Sequence, residues 1–268
     1  MPPPAPGRPD DHKTLRWWTL LRGIAVFNIL AWTLTWLVVD PSRPELRAHL
    51  ALSAIYVLVC AFRSFWPRID LERTVLVDSP LSSMVAGRTA ATLAEVCFAA
   101  QVGLFVRQVG LQASQPILVN TLPWLIVGLL ALAQAFCWSS VLTLSHLGHA
   151  LEESIWGATF AVVTVALALA LPHLDGSLYW LTAAAVPGCA AYVVFMVVVD
   201  VPMYVRRWRR HQREGGQRLG VVAGFSDALH RREPTVSWAV WKPEVAWLTG
   251  YFSLAVWASI GLVHVAAI

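Results

Sequence analysis

From Trp17 to Val39 the chain carries one charged residue, Arg22, and six later stretches are similarly poor in charge. An apolar run of about 20 residues crosses the ~30 Å hydrocarbon core of a bilayer as a helix. Helices apolar on every side are otherwise confined to the centres of large proteins. Only 13% of the residues are charged, against about 25% in soluble domains. The expected fold class is therefore all-α: a polytopic membrane helix bundle with seven transmembrane helices, near 17–39, 46–66, 83–107, 117–144, 151–172, 178–203 and 244–266.

Local signals punctuate these runs. "DPSRP" at 40–44 ends the first. "DSPLSS" at 78–83 starts the third, with Asp78 or Ser79 as N-cap and Pro80 in the first turn. Pro123 and Pro187 fall inside expected spans, where neighbouring groups can satisfy the freed carbonyls. The first apolar run is too long for a signal-peptide core and reads as a retained helix. Residues 1–16, "MPPPAPGRPDDHKTLR", read as a disordered proline-rich tail. Residues 17–268 form one domain, with a basic cytoplasmic loop at 204–243. Cys60, Cys97, Cys137 and Cys189 each lie in an apolar stretch and make no CxxC pair, so they read as small core residues.

Charge gives an orientation. With the N-terminus in the cytoplasm, only Arg43, Arg47 and Arg107 face outward, leaving 17 of the 20 Lys and Arg inside. The positive-inside rule favours that arrangement, with the C-terminus outside. The expected location is an integral membrane protein of a bacterial inner membrane. Basic residues of "YVRRWRRHQR" at 204–213 can engage an anionic leaflet at about 1 kcal/mol each, or a substrate phosphate. No nucleic-acid reader motif accompanies them.

Polar residues deep in a span are costly and often functional. Glu95 lies ~18 Å along the helix axis from Ser83, near the middle of the bilayer. A carboxylate there needs a partner or a proton. Arg88 is seven residues away, and a long basic side chain is expected to snorkel toward the cytoplasm rather than reach down. Asn28, Tyr56, Gln134, Tyr192 and Trp257 fall near the middles of other spans and complete an expected polar layer. Each also serves as plain helix–helix glue in the competing reading.

A second tier gathers nearer the cytoplasm. His146, His149 and Glu153 fall within a ~60° arc of one helix, with Glu152 to one side. His-x-x-His can hold a divalent metal on one face, although the usual helical zinc motif spaces its histidines i,i+4, and Gly148 is a candidate break between the two. Proton transfer, substrate contact, or an interfacial turn without chemistry are the alternatives. Asp200 is a further acid at this level.

The architecture alone resembles two groups. Seven spans with intramembrane acids resemble the small membrane terpene cyclases, whose Asn-x-x-Trp-Glu signature is absent around "TLAEVCFA" at 92–99. The topology resembles the progestin and adiponectin receptor group of zinc hydrolases, whose late HxxxH spacing is also absent. Function does not follow from such analogy. The expected function is a membrane enzyme acting on a lipid or isoprenoid-like substrate by proton transfer, with Glu95, His149, Glu153 and Asp200 catalytic and a divalent metal as candidate cofactor. Alternatives are a proton-coupled transporter or channel, and a non-catalytic assembly or lipid-organising protein.

Overall fold

A computed structural model describes Gly7 and residues 10–267. The chain is almost entirely helical: α1 Asp11–Val38, α2 Pro44–Phe65, α3 Met84–Gln112, α4 Pro116–Asn120, α5 Leu122–Thr143, α6 His146–Ala170, α7 Gly176–Phe195, α8 Val201–Arg213, α9 Val221–His230, α10 Trp238–Gly250 and α11 Val256–Ala267. A π-helical stretch, Met196–Asp200, joins α7 to α8, and a second, Tyr251–Ala255, joins α10 to α11. Counting these joined helices as single spans, seven helices among the described residues are long and apolar enough to cross a membrane.

The outer faces support that assignment. Val38, Leu169 and Trp180 are 73%, 65% and 72% exposed, while Arg88, Glu95, Gln134, His149 and Asp200 are buried. A water-soluble protein shows the reverse, because apolar surface is what water drives inward. Lipid tails accept apolar faces and penalise unsatisfied polar ones. The chain is an integral membrane protein.

Several expected boundaries move. The part of the expected tail at residues 1–6, 8 and 9 lies outside the described residues, but residues 11–16 already belong to α1. Asp11 explains this, because its carboxylate accepts the Trp238 backbone N–H at 3.2 Å. A negative charge at the start of α10 is favourable against the helix dipole. Pro123 does not interrupt a span: α4 ends first, and Pro123 sits in the opening turn of α5, where its missing N–H costs nothing. Ser79 accepts from Leu81 N–H in a short 3-10 turn, and Ser83 is the residue whose hydroxyl accepts from α3, at Ala86 N–H. The segment expected as a loop over 204–243 contains most of α8, all of α9 and the start of α10.

The chain divides into two compact units, 1–97 with 225–264, and 98–224 with 265–268. In the first, α1 packs on α2 and α10. The π stretch between α10 and α11 shifts backbone carbonyls out of the regular ladder, which needs replacement donors in a membrane. Asn28 supplies one: its amide donates to the Phe252 carbonyl at 2.7 Å and its oxygen accepts from Trp257 Nε1 at 2.9 Å. Asn28 and Trp257 are thus joined to each other.

One end of this unit carries a small sheet of β1 Arg68–Ile69, β2 Thr74–Val75 and β3 Glu233–Pro234. β1 and β2 are antiparallel, with Arg68 opposite Val75; β2 and β3 are parallel, with Thr74 opposite Glu233. Buried Arg73 clamps it through Asp227 at 2.8 Å. Arg68 donates to the Ser83 carbonyl at 2.6 Å and to the Trp66 carbonyl. Burial pulls its guanidinium down to about 10, so it stays charged at neutral pH, held by carbonyls rather than by water.

In the second unit, α6 is the central helix and packs against α5, α7 and α8. Only Leu144 and Ser145 separate α5 from α6, which makes the two an antiparallel hairpin. Leu144 closes it in the left-handed region, at φ 57°.

Candidate functional site

Among the described residues, each unit holds a buried cluster of candidate site residues. In the first unit, Arg88 Nη2 donates to Glu95 Oε1 at 2.8 Å, and both side chains are nearly out of solvent. The expectation that Arg88 would snorkel away is therefore corrected. Two helical turns separate the residues by ~10 Å, a gap the two long side chains bridge together. The compensation of two charges in a low dielectric outweighs the pull of the interface. Around them lie Tyr56 and Tyr251, whose rings are 6.4 Å apart. The two phenols interact electrostatically with each other and with Glu95. Arg63 covers the Tyr251 and Phe252 rings at 5.9 and 5.5 Å. Tyr251 is the first residue of the π stretch.

The second centre begins with the α5–α6 hairpin. Gly148 does not break α6, which is continuous from His146. It lets the helices touch instead: a Cβ there would collide with the Phe136 carbonyl oxygen and press on Ser140. Ser140 then ties the hairpin shut. Its hydroxyl accepts the His149 backbone N–H at 3.0 Å and donates to the Ser145 carbonyl.

This closeness brings Cys137 of α5 over the buried face of α6. His149 Nδ1 lies 3.7 Å from Cys137 Sγ and 2.9 Å from Glu152 Oε2. One candidate ligand atom from each of the three residues lies within 4.8 Å of the other two, and all three residues are buried. Glu152, expected off to one side, is thus the carboxylate on His149. The i,i+3 spacing makes them neighbours, and Glu152 occupies the more buried position of the acidic pair. Glu153 and His146 are not members of this group.

The rest of the centre comes from α8. The Tyr204 ring stands 5.1 Å from His149 and 6.4 Å from His146. His211 meets His146 edge-on at 6.3 Å. Glu153, Asp200 and Glu152 act electrostatically on Tyr204, opposed by Arg207. Asp200 is buried at the end of the π stretch Met196–Asp200. Pro202, two residues on, cannot donate to the turn before, which accounts for a disturbed ladder at this point. Tyr192 packs edge-on against Phe160 at 4.9 Å, and Gln134 is buried in α5.

The expected site residues therefore divide. Asn28, Tyr56, Arg88, Glu95 and Trp257 belong to the first unit, and Gln134, His146, His149, Glu153, Tyr192 and Asp200 to the second. The structure gathers His149, Glu153 and Asp200 about Tyr204. Cys137, Ser140, Glu152 and Tyr251 are additions. Cys137 had a signal: it precedes the hairpin turn by seven residues, which places it opposite the start of the returning helix. Compared with known proteins, the chain matches no family model, no curated protein and no solved structure.

Proposed function

We propose that this protein is a multi-pass membrane enzyme that acts on a lipid or isoprenoid-like substrate by proton transfer, at the centre formed by α5, α6 and α8. The observation that carries this reading is His149, held on the Glu152 carboxylate at 2.9 Å and facing Tyr204. An imidazole, several carboxylates and a phenol in one largely buried cluster can take up and release protons, which makes the cluster a candidate reactive site. Glu153 and Asp200 are the further proton carriers. The apolar helices around them suit a substrate with a hydrocarbon body. Exposed Arg206, Arg209 and Arg213 on α8 suit a phosphate-bearing head or an anionic leaflet.

Glu95 is assigned a structural part, as the counter-charge of Arg88. The proposed orientation is N-terminus in the cytoplasm and C-terminus outside, on the strength of the basic excess at one side; the proposed location is a bacterial inner membrane. A phosphatase reporter fused to the C-terminus is then active and a fluorescent-protein fusion dark; the opposite pattern reverses the topology. The function is tested by placing purified protein in nanodiscs of bacterial polar lipid with added polyprenyl alcohol and polyprenyl diphosphate. Mass spectrometry then records lipid conversion. Wild type is expected to change the lipid pool and His149→Ala to leave it unchanged; no conversion by the wild type on these lipids refutes the reading.

A further inference from the structure

We propose that Cys137, His149 and Glu152 bind a divalent transition-metal ion of the zinc class. The metal's role in catalysis rests on the enzymatic reading above; its binding does not.

The donor set is the first argument. A thiolate, an imidazole and a carboxylate suit zinc or cobalt and are foreign to magnesium and calcium, which take oxygen donors. Geometry is the second. Zinc bonds of about 2.0–2.3 Å in a tetrahedron set neighbouring donors about 3.4–3.8 Å apart. Cys137 Sγ and His149 Nδ1 already stand at 3.7 Å. The His149 Nδ1–Glu152 Oε2 contact, at 2.9 Å, is a hydrogen bond that the metal replaces: the neutral imidazole then carries its proton on Nε2 and leaves Nδ1 free to bind. A small rotation of the Glu152 carboxylate opens it to the tetrahedral edge.

Rigidity is the third argument. Two donors share one helix at i,i+3, and the third comes from a helix pinned to it by Gly148 and Ser140. Little ordering remains to oppose binding. Charge is the fourth. A thiolate and a carboxylate buried between membrane helices are costly, and a dication neutralises both. Three protein donors leave a fourth position for water or substrate, the pattern of catalytic rather than structural zinc. Close by, His146 Nδ1 is buried without a hydrogen-bond partner among the described residues, one helical turn from His149.

The test uses the full-length protein in detergent. Elemental analysis after expression with added zinc is expected to give about one zinc per chain, as one three-donor site requires. Cobalt(II) titration of the chelator-stripped protein is expected to produce a thiolate-to-cobalt charge-transfer band. Cys137→Ser removes that band, and His149→Ala weakens cobalt binding at least about tenfold, with circular dichroism confirming that each variant is folded. The wild-type spectrum decides the matter even if a variant does not insert. Sub-stoichiometric metal, or bound cobalt without a thiolate band, overturns the inference. Lipid conversion that depends on His149 in chelator-stripped protein overturns the metal's part in catalysis and leaves the enzymatic reading standing, while the cobalt titration alone decides the binding. Stoichiometric metal without any lipid conversion supports the site and sinks only that reading.

Discussion

Arg88→Met destabilises the protein by about 3–5 kcal/mol, and Glu95→Gln by a comparable amount, whereas Arg88→Met with Glu95→Leu recovers most of the loss. Breaking a buried ion pair strands one charge in a medium that cannot solvate it. Removing both charges leaves an apolar contact that the membrane tolerates. The magnitude rests on burial: the Arg88 and Glu95 side chains are only 6% and 11% exposed, at 2.8 Å. Solvent screening therefore does little to soften the penalty. Glu95→Gln is the informative single change, since it keeps the shape and removes the charge that holds Arg88. Unfolding of detergent-purified protein by heat or SDS, read by circular dichroism, measures all three. The double variant also separates the two roles open to Glu95. As a counter-charge, its loss together with Arg88 leaves lipid conversion intact. Lost conversion in a folded double variant means that Glu95 takes part in the chemistry.

Gly148→Ala is the second large effect. Helix propensity alone favours alanine by about 1 kcal/mol, so a gain would be expected at an ordinary helix position. Here the new methyl meets the Phe136 carbonyl oxygen and the Ser140 backbone. Backbone atoms in a helix cannot turn aside as a side chain can. α6 must move off α5, at a net cost of about 1–3 kcal/mol. The larger consequence is functional. Cys137 sits on α5 and His149 on α6, so any separation of the two opens their 3.7 Å contact. A misplacement of about 1 Å at a reacting group can cost about 100-fold in rate. Gly148→Ala is expected to lower lipid conversion and cobalt affinity together while leaving the seven spans inserted. A variant as stable and as active as the wild type would mean that the close hairpin does not exist.

How much of this was legible in the sequence follows from what each feature depends on. The seven spans depend on hydropathy summed over about twenty residues, which side-chain packing cannot override. Their order and number were readable for that reason. Helix starts were less so. Asp11 draws α1 back into the expected tail because it serves the far end of the chain at Trp238, and no local pattern carries that contact. Depth alone singles out Glu95 but not its partner: snorkelling is the habit of a lone arginine, and Arg88 is paired. His149 was legible as a candidate through its neighbours on one helical face. Its closest partners were not. Glu152 lies at i+3 and looked displaced on a helical wheel, which ignores the reach of a glutamate side chain. Cys137 reads as any small apolar residue unless its place seven residues before the hairpin turn is used. The chemistry of the second centre is a property of two helices brought together, and periodicity within one helix does not show it.

The claim that most needs testing is that His149 and Glu152 act as a unit in a reactive centre. The measurement is a double-mutant cycle on lipid conversion in nanodiscs, with wild type, His149→Ala, Glu152→Gln and the double variant, each verified as folded. Residues that work as one unit are non-additive, so that losing the second costs little once the first is gone. Either single change is expected to lower the rate by at least about 100-fold, in the range typical of acid–base groups, and the double variant is expected to be no slower than the slower single. Independent losses that multiply in the double variant, or single variants that match the wild type, would contradict that claim.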